Sequence, residues 1–380
     1  MKIAVLKETL AGEARVALIP DSVKRLVKKG FVVAVQAGAG ERSGFSDQQY
    51  EQVGAEVVSA LDALCESADV VIKVQPPSIE EIGMYREGTA LISILQPYLR
   101  HDTVQQLADR KLSAFALDTI PRTTLAQSMD VLSSMSTIAG YKAVVMAADN
   151  LNKFFPMLMT AAGTVRPAKV LVIGAGVAGL MACATAKRLG AVVEAFDVRP
   201  VVKEQVQSVG AKFVEVPVEE SGEAEGGYAK EMSDEYKRKQ GELIAKHIAK
   251  SDVVIPTALI PGKKAPILIN EEMVQSMGAG SVIVDLAAEM GGNCALTEPG
   301  KTVVKHGVII VGPDNLPSTV PFHASQMFAK NIEKFLFHLA GDDGLKMDME
   351  DEITRGSLIT HDGKVVQEMT LKMMNAAGGQ

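Results

Sequence analysis

The chain contains no tryptophan, and only 4% of its 380 residues are aromatic. Cysteine is also scarce, because Cys65, Cys183 and Cys294 stand far apart without a CxxC pair or a His/Cys cluster. This usage favours reduced thiols in a cytosolic protein over a disulfide framework or a zinc site. No apolar stretch approaches the ~20 residues that cross a bilayer. Met1 and Lys2 lead directly into the strand-like run IAVL, so we also expect no signal peptide.

The charge balance excludes two classes of partner. The net charge is −7 and the pI is about 5.5, so nothing in the composition favours binding to nucleic acid or to an anionic membrane surface. A content of 47% hydrophobic and 22% charged residues is typical of a soluble globular protein, and the length allows two domains with cores of their own.

Strand-like and helix-like patterns alternate along most of the chain, which is typical of an α/β fold with parallel sheets flanked by helices. We predict two Rossmann-like domains separated by a cleft. The first comprises residues 1–131 and 312–380, and the second comprises residues 132–311. A long helical pattern from about Ser133 to Phe155 carries the chain from the first domain into the second.

The segment KVLVIGAGVAGLMACATAKRLGAVVEAFDVR, from Lys169 to Arg199, carries the clearest functional signal. Gly174 permits a tight turn after a strand, Gly176 lets the backbone approach a pyrophosphate, and Gly179 allows close packing of helix on strand. Asp197 stands where a carboxylate accepts hydrogen bonds from a ribose 2′-hydroxyl and repels a 2′-phosphate. The pattern predicts binding of NAD(H) in preference to NADP(H); the alternative is a glycine-rich turn in an unrelated α/β domain.

A polar, acidic segment begins at Pro217 and does not have the pattern of a compact domain. Loops of this length are functional or disordered. Two interpretations remain open. The segment is either a solvated acidic loop or a lid, hinged at Gly226 and Gly227, that lays Tyr228 over the bound nucleotide.

Five motifs together resemble one superfamily along the whole chain. They are KETLAGEARVALIP, QAGAGERSGFSD, IGAGVAGLMACATAKRLGA, TALIPGKKAP and DLAAEMGGN. The pattern is similar to that of the alanine dehydrogenase/pyridine-nucleotide transhydrogenase superfamily. The resemblance implies the two-domain fold, and it leaves open which of the two branches this chain follows.

Three positions bear on the alanine dehydrogenase branch. Arg15 matches the arginine that holds the substrate carboxylate there, although a structural surface arginine is an equal alternative. The catalytic lysine and histidine of that branch match Gln75 in KVQPP and Gln96 in ILQPY. Oxidative deamination needs a group that gains and loses protons near neutral pH, and an amide does not. Hydride transfer between two nicotinamides requires alignment and exclusion of water instead.

The segment IPRTTLAQSMDVLSSMSTIAGYKAV favours the other branch. It resembles the PRxxxAQSMDxLSS motif of the NAD(H)-binding component of proton-translocating transhydrogenase. The resemblance implies that four catalytic positions line the nicotinamide end of the cofactor: Arg122, Gln127, Asp130 and Ser133. The alternative is a helix N-terminus capped by Ser128 or Asp130. Leu125 replaces a second arginine that this family usually has, which removes one polar contact.

The same resemblance implies a wider set of NAD(H) contacts. Besides the residues already named, it comprises Thr123, Thr124, Leu125, Ser128, Met129, Val177, Ala178, Val198, Arg199, Gly227, Tyr228, Gln240 and Leu259. Because the cysteines and the six histidines form no cluster in the sequence, we expect no metal, and we expect the histidines to be structural or at the surface.

The function that this resemblance implies is transfer of a hydride from NADH to NADP⁺ held on a partner subunit. Membrane-spanning subunits would couple the transfer to proton translocation, and they would hold the homodimeric component at the inner, cytoplasmic face of the membrane. The chain is either a separate subunit or a fragment of a longer one. Two alternatives remain, an amino-acid dehydrogenase of the alanine dehydrogenase type and a non-catalytic NAD(H)-binding module.

Overall fold

The computed structural model describes residues 1–215, 233–260, 262–341 and 344–378. The chain separates into two compact units, Met1–Met135 with Ser318–Gln380, and Ser136–Pro317. The domain boundary predicted after residue 131 falls at the start of a helix, Val131–Asn150, and the one predicted after residue 311 falls within a strand, Val308–Gly312. Both units have the α/β architecture that the alternating pattern predicts, with sheets flanked by helices.

The first unit opens with alternating strands and helices. Apolar runs such as IAVL form strands because a parallel sheet covered on both faces favours aliphatic residues throughout. The SVKRLVKKG pattern forms a helix with Pro20 at its start and Gly30 just after it, at φ +92°. The elements in chain order are β1 (Lys2–Val5), α1 (Pro20–Lys28), β2 (Val32–Gln36), α2 (Asp47–Glu51), β3 (Glu56–Val58), α3 (Leu61–Ser67), β4 (Val70–Ile72), α4 (Ile79–Met84), β5 (Ala90–Ser93), α5 (His101–Asp109) and β6 (Ser113–Ala116).

Helix α6 (Val131–Asn150) then leads from the first unit into the second. It ends five residues before the predicted limit at Phe155, and Pro156 disfavours helical backbone at Phe155 itself. The chain instead forms an antiparallel hairpin of β7 (Leu158–Thr160) and β8 (Gly163–Val165), which the sequence analysis did not predict.

Helix α6 corrects one expectation. Among the described residues it is the helix long and apolar enough, by length and composition alone, to cross a bilayer, whereas we expected no such stretch. Small residues between the large apolar side chains of α6 break up any long apolar run in the sequence. Because they add no charge, the helix as a whole is still apolar enough to meet this criterion. Core helices of globular domains have the same composition, and Ala143, Val144 and Ala147 of α6 are buried in the core of the second unit.

The second unit is a doubly wound sheet. Its remaining elements are β9 (Lys169–Ile173), α7 (Val177–Arg188), β10 (Val192–Phe196), α8 (Lys203–Ser208), β11 (Lys212–Val214), α9 (Asp234–Ile248), β12 (Val253–Pro256), α10 (Glu271–Gln275), β13 (Val282–Val284), β14 (Lys301–Lys305) and β15 (Val308–Gly312). The strand order is β11-β10-β9-β12-β13-β15-β14, with only β14 antiparallel to its neighbour. Because the order reverses at β9, the carboxyl ends of β9, β10 and β12 border the place where such sheets bind nucleotides.

Alternate residues of β9 are buried on opposite faces of this sheet. Val170 and Val172 belong to the apolar cluster that contains residues of α6 and α7, whereas Leu171 and Ile173 belong to the cluster that contains residues of α9. This alternation follows from the two-residue period of a strand. It fixes the register of β9 and therefore the position of the glycine-rich turn that follows it.

The chain then returns to the first unit and completes its sheet. The last elements are α11 (Pro321–Leu339), α12 (Glu352–Ser357), β16 (Leu358–His361), β17 (Lys364–Val365) and α13 (Glu368–Gly378). The strand order is β17-β16-β6-β5-β4-β1-β2-β3, and β16 is antiparallel to both β6 and β17. The acidic C-terminal stretch thus supplies two strands that its sequence did not indicate.

Candidate functional site

Tight contacts fix the glycine-rich turn of the second unit. Gly174 has φ +101°, which a residue with a side chain rarely adopts. A Cβ on Gly179 would lie 1.8 Å from the carbonyl oxygen of Gly174, and a Cβ on Gly140 of α6 would lie 2.1 Å from the carbonyl oxygen of Ala178. Three glycines are therefore required by the packing of the protein itself, and they hold the start of α7 against β9 and α6.

Gly176 differs from these glycines. It stands immediately before α7 with φ −74°, and no atom of the described residues lies within 4 Å of a Cβ built on it. Neither the backbone conformation nor the packing against the described part of the chain requires a glycine here. The bare backbone at the N-terminus of a helix is the arrangement that lets phosphate oxygens approach N–H groups.

Asp197, directly after β10, accepts hydrogen bonds from the glycine-rich turn and from Arg199. Its side chain is 6% exposed and accepts hydrogen bonds from the backbone N–H of Ala175 (2.7 Å) and of Arg199 (2.9 Å). The Arg199 guanidinium adds two bonds, from Nε to Oδ1 at 2.9 Å and from Nη2 to Oδ2 at 2.8 Å. Asp197 thus joins the carboxyl end of β10 to the glycine-rich turn.

The other predicted contact residues of the second unit have mixed surroundings. Val177 and Leu259 are 40% and 48% exposed, and Gln240 on α9 is half-buried. The side chain of Val198 packs against the core. The predicted lid residues Gly227 and Tyr228 lie outside the described residues.

Three polar residues that sequence reasoning did not single out hold the loops beside this turn. Thr257, directly after β12, donates its hydroxyl to the carbonyls of Ile173 (3.3 Å) and Gly174 (3.1 Å). The Asn293 side chain bonds the backbone N–H and C=O of Ala258, both at 2.9 Å, and the C=O of Pro266.

The third residue is Asp285, which is fully buried and organises the loop after β13. It accepts the backbone N–H groups of Ala287, Asn293 and Cys294 and the Thr297 hydroxyl. Thr257 and Asp285 directly follow strands, and all three residues lie inside the TALIPGKKAP and DLAAEMGGN motifs, which is the signal that could have identified them.

The residues predicted at the nicotinamide end lie in the first unit. Gln127 and Ser128 are exposed on a short 3₁₀ turn, Ala126–Met129, and the Ser128 carbonyl accepts a bond from Asn331 of α11 at 2.9 Å. Asp130 accepts both the N–H (2.8 Å) and the hydroxyl (2.5 Å) of Ser133. The structure thus brings Asp130 and Ser133 together as a cap on α6, which is the alternative that the sequence left open for this aspartate.

The remaining residues of this motif have varied exposure. Arg122 and Thr124 are exposed, Thr123 is half-buried, Leu125 is 66% exposed and Met129 is buried. The exposure of Leu125 shows that the core does not require an apolar residue where the transhydrogenase motif usually has arginine. The roles of these residues toward a cofactor stay predictions.

Arg15 is not the surface arginine that we considered, because its side chain is 3% exposed. Its guanidinium forms two bonds with Glu13, from Nε to Oε1 at 2.8 Å and from Nη2 to Oε2 at 2.6 Å. Burial alone would raise the pKa of Glu13, but the bonds from Arg15 and from the Gln75 amide outweigh burial and lower the pKa to about 2. Arg15 is therefore paired with a carboxylate of its own chain.

Both glutamines that the sequence matches to proton-handling residues of the dehydrogenase branch form hydrogen bonds. Gln75 donates its side-chain amide to Glu13 at 2.8 Å. Gln96 has φ +50°, its backbone N–H bonds the half-buried carboxylate of Asp118 at 2.9 Å, and its side-chain oxygen accepts from Arg100 at 3.1 Å. Both side chains thus make hydrogen bonds as amides, which neither gain nor lose a proton near neutral pH.

Glu8 is a buried carboxyl group whose pKa moves toward neutrality. Burial raises its pKa to about 7, although Lys73 and a 2.6 Å bond from the Val74 N–H favour the charged form. Lys73 cannot compensate fully because it pairs with Glu81 at 2.5 Å. Since burial disfavours the ionised form, ionising Glu8 costs the folded chain free energy.

We expect Glu8→Gln to stabilise the protein more at pH 8 than at pH 5. The folded-state pKa lies above the ordinary value of 4.5, so wild-type stability is lost as the pH rises from about 4.5 to about 7 and is then constant. Glutamine does not ionise, and the advantage of the variant should grow by about 2.5 kcal/mol between pH 5 and pH 8. Urea unfolding at both pH values measures the difference.

The exposed Glu66→Gln is the matched control for this experiment and should show the same difference from wild type at both pH values. An equal effect of Glu8→Gln at pH 5 and pH 8 would contradict the assignment of a near-neutral carboxyl to Glu8.

Comparison with known proteins agrees with this architecture. The family model for the N-terminal domain of alanine dehydrogenase/PNT matches residues 4–139, and the model for the C-terminal domain matches residues 143–368. The chain is 51% identical to the first of the parts that make up NAD(P) transhydrogenase subunit alpha in Rhodospirillum rubrum, over 96% of this chain and 98% of that protein. It is 31% identical to alanine dehydrogenase of Bacillus subtilis, over 97% and 93%.

A solved structure shows the same fold. The crystal structure of transhydrogenase from Sinorhizobium meliloti matches with a TM-score of 0.85 and 45% identity, covering 97% of this chain and 100% of that one. The two domain models together span almost the whole chain, and the relatives match it nearly end to end. The chain therefore belongs to the alanine dehydrogenase/PNT family.

Proposed function

We propose that the chain is the NAD(H)-binding component of a proton-translocating transhydrogenase, which passes a hydride between its own NADH and NADP⁺ held on a partner subunit. The observation that supports the proposal most strongly is that Gln75 and Gln96 are amides held by hydrogen bonds. Both amides stand where the dehydrogenase branch has its proton-handling groups, and both are fixed by hydrogen bonds within the first unit. Hydride transfer between two nicotinamides needs no such group.

The residues of the second unit suit NAD(H). Gly176 leaves open backbone at the N-terminus of α7 for the pyrophosphate, and Asp197 lies at the end of β10, where a ribose hydroxyl would bond its carboxylate in place of a donor from Arg199. When bound, the nicotinamide supplies the hydride. NADP(H) would then be a co-substrate bound elsewhere, on a partner subunit.

The residues of the first unit would orient the nicotinamide. Gln127, on an exposed turn, offers an amide to the carboxamide of the ring, and Arg122 offers a guanidinium to carboxamide or phosphate oxygens. The bonded pair of Asp130 and Ser133 fixes the end of α6 next to this turn. Orientation with exclusion of water, rather than acid–base chemistry, would then be the contribution of the chain to the rate.

The assembly that we propose includes further subunits. The Rhodospirillum rubrum relative is named as one part of a subunit alpha, which supports a place in a complex with NADP(H)-binding and membrane-spanning subunits at the inner face of the cytoplasmic membrane. A homodimer is supported by the apolar hairpin of β7 and β8, where Met157, Met159 and Val165 are 56%, 78% and 41% exposed.

An amino-acid dehydrogenase is the second candidate, favoured by the buried Arg15 and by the relative from Bacillus subtilis. The pairing of Arg15 with Glu13 argues against it, because a substrate carboxylate would have to compete with a carboxylate already held by two bonds.

Titration of the unmodified chain with NADH and NADPH, followed by nucleotide fluorescence, tests the binding site. We expect NADH to bind at least ~10-fold more tightly, since the Arg199 guanidinium is already bonded to Asp197 and a 2′-phosphate would have to approach that carboxylate. The same sample supplied with alanine and NAD⁺ should show no significant oxidation. Equal affinity for the two nucleotides would refute the NAD(H) assignment, and robust alanine oxidation would return the chain to the dehydrogenase branch.

A further inference from the structure

The carboxylate of Asp197 carries as many hydrogen bonds as it can accept. Oδ1 accepts the backbone N–H and Nε of Arg199, and Oδ2 accepts the N–H of Ala175 and Nη2 of Arg199. An ionised carboxylate offers about four lone-pair sites, so these four donors fill it. A ribose hydroxyl can donate to Asp197 only by sharing or displacing one of them.

Arg199 is the donor best suited to give way. The Ala175 N–H belongs to the fixed glycine-rich turn, whereas the guanidinium of Arg199 is at the end of a long side chain that is 16% exposed. Residue 199 is extended, at φ −95° and ψ 113°. Both the backbone N–H and the guanidinium of Arg199 bond the Asp197 carboxylate, so the two side chains lie at one site beside β10.

This site therefore holds both of the elements by which Rossmann-type domains distinguish the two nucleotides. An acidic residue at this place binds the ribose hydroxyl of NAD(H), and an arginine near it accommodates the 2′-phosphate of NADP(H). As the pair stands, the guanidinium of Arg199 is bonded to the Asp197 carboxylate. If residue 197 carried no charge, the donors that now bond this carboxylate could bond a phosphate of about −1.5 to −2 charge.

We propose that Arg199 is a specificity-determining residue, a receptor for an adenosine 2′-phosphate that Asp197 keeps occupied. The proposal rests on the proposed function, because it takes the carboxyl end of β10 to be the adenosine-ribose site. The charge at residue 197 then decides which nucleotide the chain accepts. With the carboxylate present, Arg199 is bound and a 2′-phosphate is repelled; without it, the guanidinium forms the forked bonds to phosphate for which its geometry is suited.

Four proteins distinguish this role from simple loss of repulsion: wild type, Asp197→Asn, Arg199→Gln and the double variant. Calorimetric titration with adenosine 2′,5′-bisphosphate and with 5′-AMP isolates the 2′-phosphate, because the two ligands differ only there. NADH and NADPH titrations of the same proteins extend the comparison to the whole nucleotide. Thermal unfolding checks each fold, and Asp197→Ser, which keeps one acceptor oxygen, replaces Asp197→Asn if the latter does not fold.

We expect Asp197→Asn to bind the bisphosphate at least ~10-fold more tightly than wild type, as one charge-assisted bond to phosphate would provide. The double variant should lose that gain. Arg199→Gln should raise the preference for NADH over NADPH, because the remaining carboxylate is no longer balanced.

Three other outcomes would contradict the proposed role of Arg199. A gain of equal size in Asp197→Asn and in the double variant would show that only repulsion had been removed, and no gain in folded Asp197→Asn would show that Arg199 does not reach the phosphate. Either result contradicts the receptor role while NADH binding by wild type still supports the proposed function. Failure of wild type to bind NADH would overturn both.

Discussion

Gly176→Ala is expected to weaken NADH binding at least ~100-fold while the thermal stability of the protein stays unchanged. The added methyl group meets no atom of the described residues within 4 Å, and φ −74° suits alanine as well as glycine. It would, however, stand between the backbone of the turn and a pyrophosphate. Loss of two charge-assisted bonds at about 1.5 kcal/mol each corresponds to a ~100-fold loss of affinity.

Gly179→Ala provides the matched contrast within the same turn. Its Cβ would lie 1.8 Å from the carbonyl oxygen of Gly174, so β9 and α7 must separate before the variant can fold. We expect a lower Tm together with weaker NADH binding. Differential scanning calorimetry and NADH titration of both variants measure the contrast. Unchanged NADH affinity in Gly176→Ala would contradict a pyrophosphate at the start of α7, and a large fall in its Tm would contradict the open space described there.

Gln127→Asn is expected to slow partner-dependent hydride transfer ~100-fold with little change in NADH affinity. The substitution keeps the amide but withdraws it by one methylene group, and ~1 Å of misplacement at a reacting centre can cost ~10²-fold in rate. Most of the nucleotide affinity should remain, because the proposed pyrophosphate and ribose contacts of Gly176 and Asp197 lie in the second unit.

Rate and affinity must be measured on the same preparation of this variant. Gln48→Asn, the same change at an exposed residue of α2, is the control and should match wild type in both measurements. An unchanged transfer rate in Gln127→Asn would remove Gln127 from the nicotinamide end. A parallel loss of rate and of NADH affinity would assign it to binding rather than to alignment.

Local patterns were sufficient to predict the fold class and the place of the glycine-rich turn. Each depends on residues close together in sequence, such as the aliphatic run that ends at Ile173 and the spacing from Gly174 to Gly179. The burial of alternate β9 residues on opposite faces shows why this works, since the strand period alone sets which side chains reach which core.

Features that depend on residues far apart in the sequence could not be predicted from local patterns. The antiparallel strand β16 lies beside β6, more than 240 residues earlier in the chain, and no local signal marks that pairing. The sequence was equally compatible with an Arg15 at the surface. Its burial depends on how its segment packs in the folded unit, which local patterns do not show. Similarly, Asp197 is recognisable from its spacing, but its full set of donors depends on the turn at Ala175 and on the conformation of Arg199.

Direct hydride transfer to a partner is the central claim, and one assay tests it. The unmodified chain is mixed with an NADP(H)-binding transhydrogenase domain, NADH and an NADP⁺ analogue whose reduced form has its own absorbance. The account predicts reduction of the analogue that requires both proteins and NADH, while alanine and NAD⁺ give no reaction with the chain alone. Absence of transfer in a mixture in which the chain binds NADH, or oxidation of alanine at a comparable rate, would contradict it.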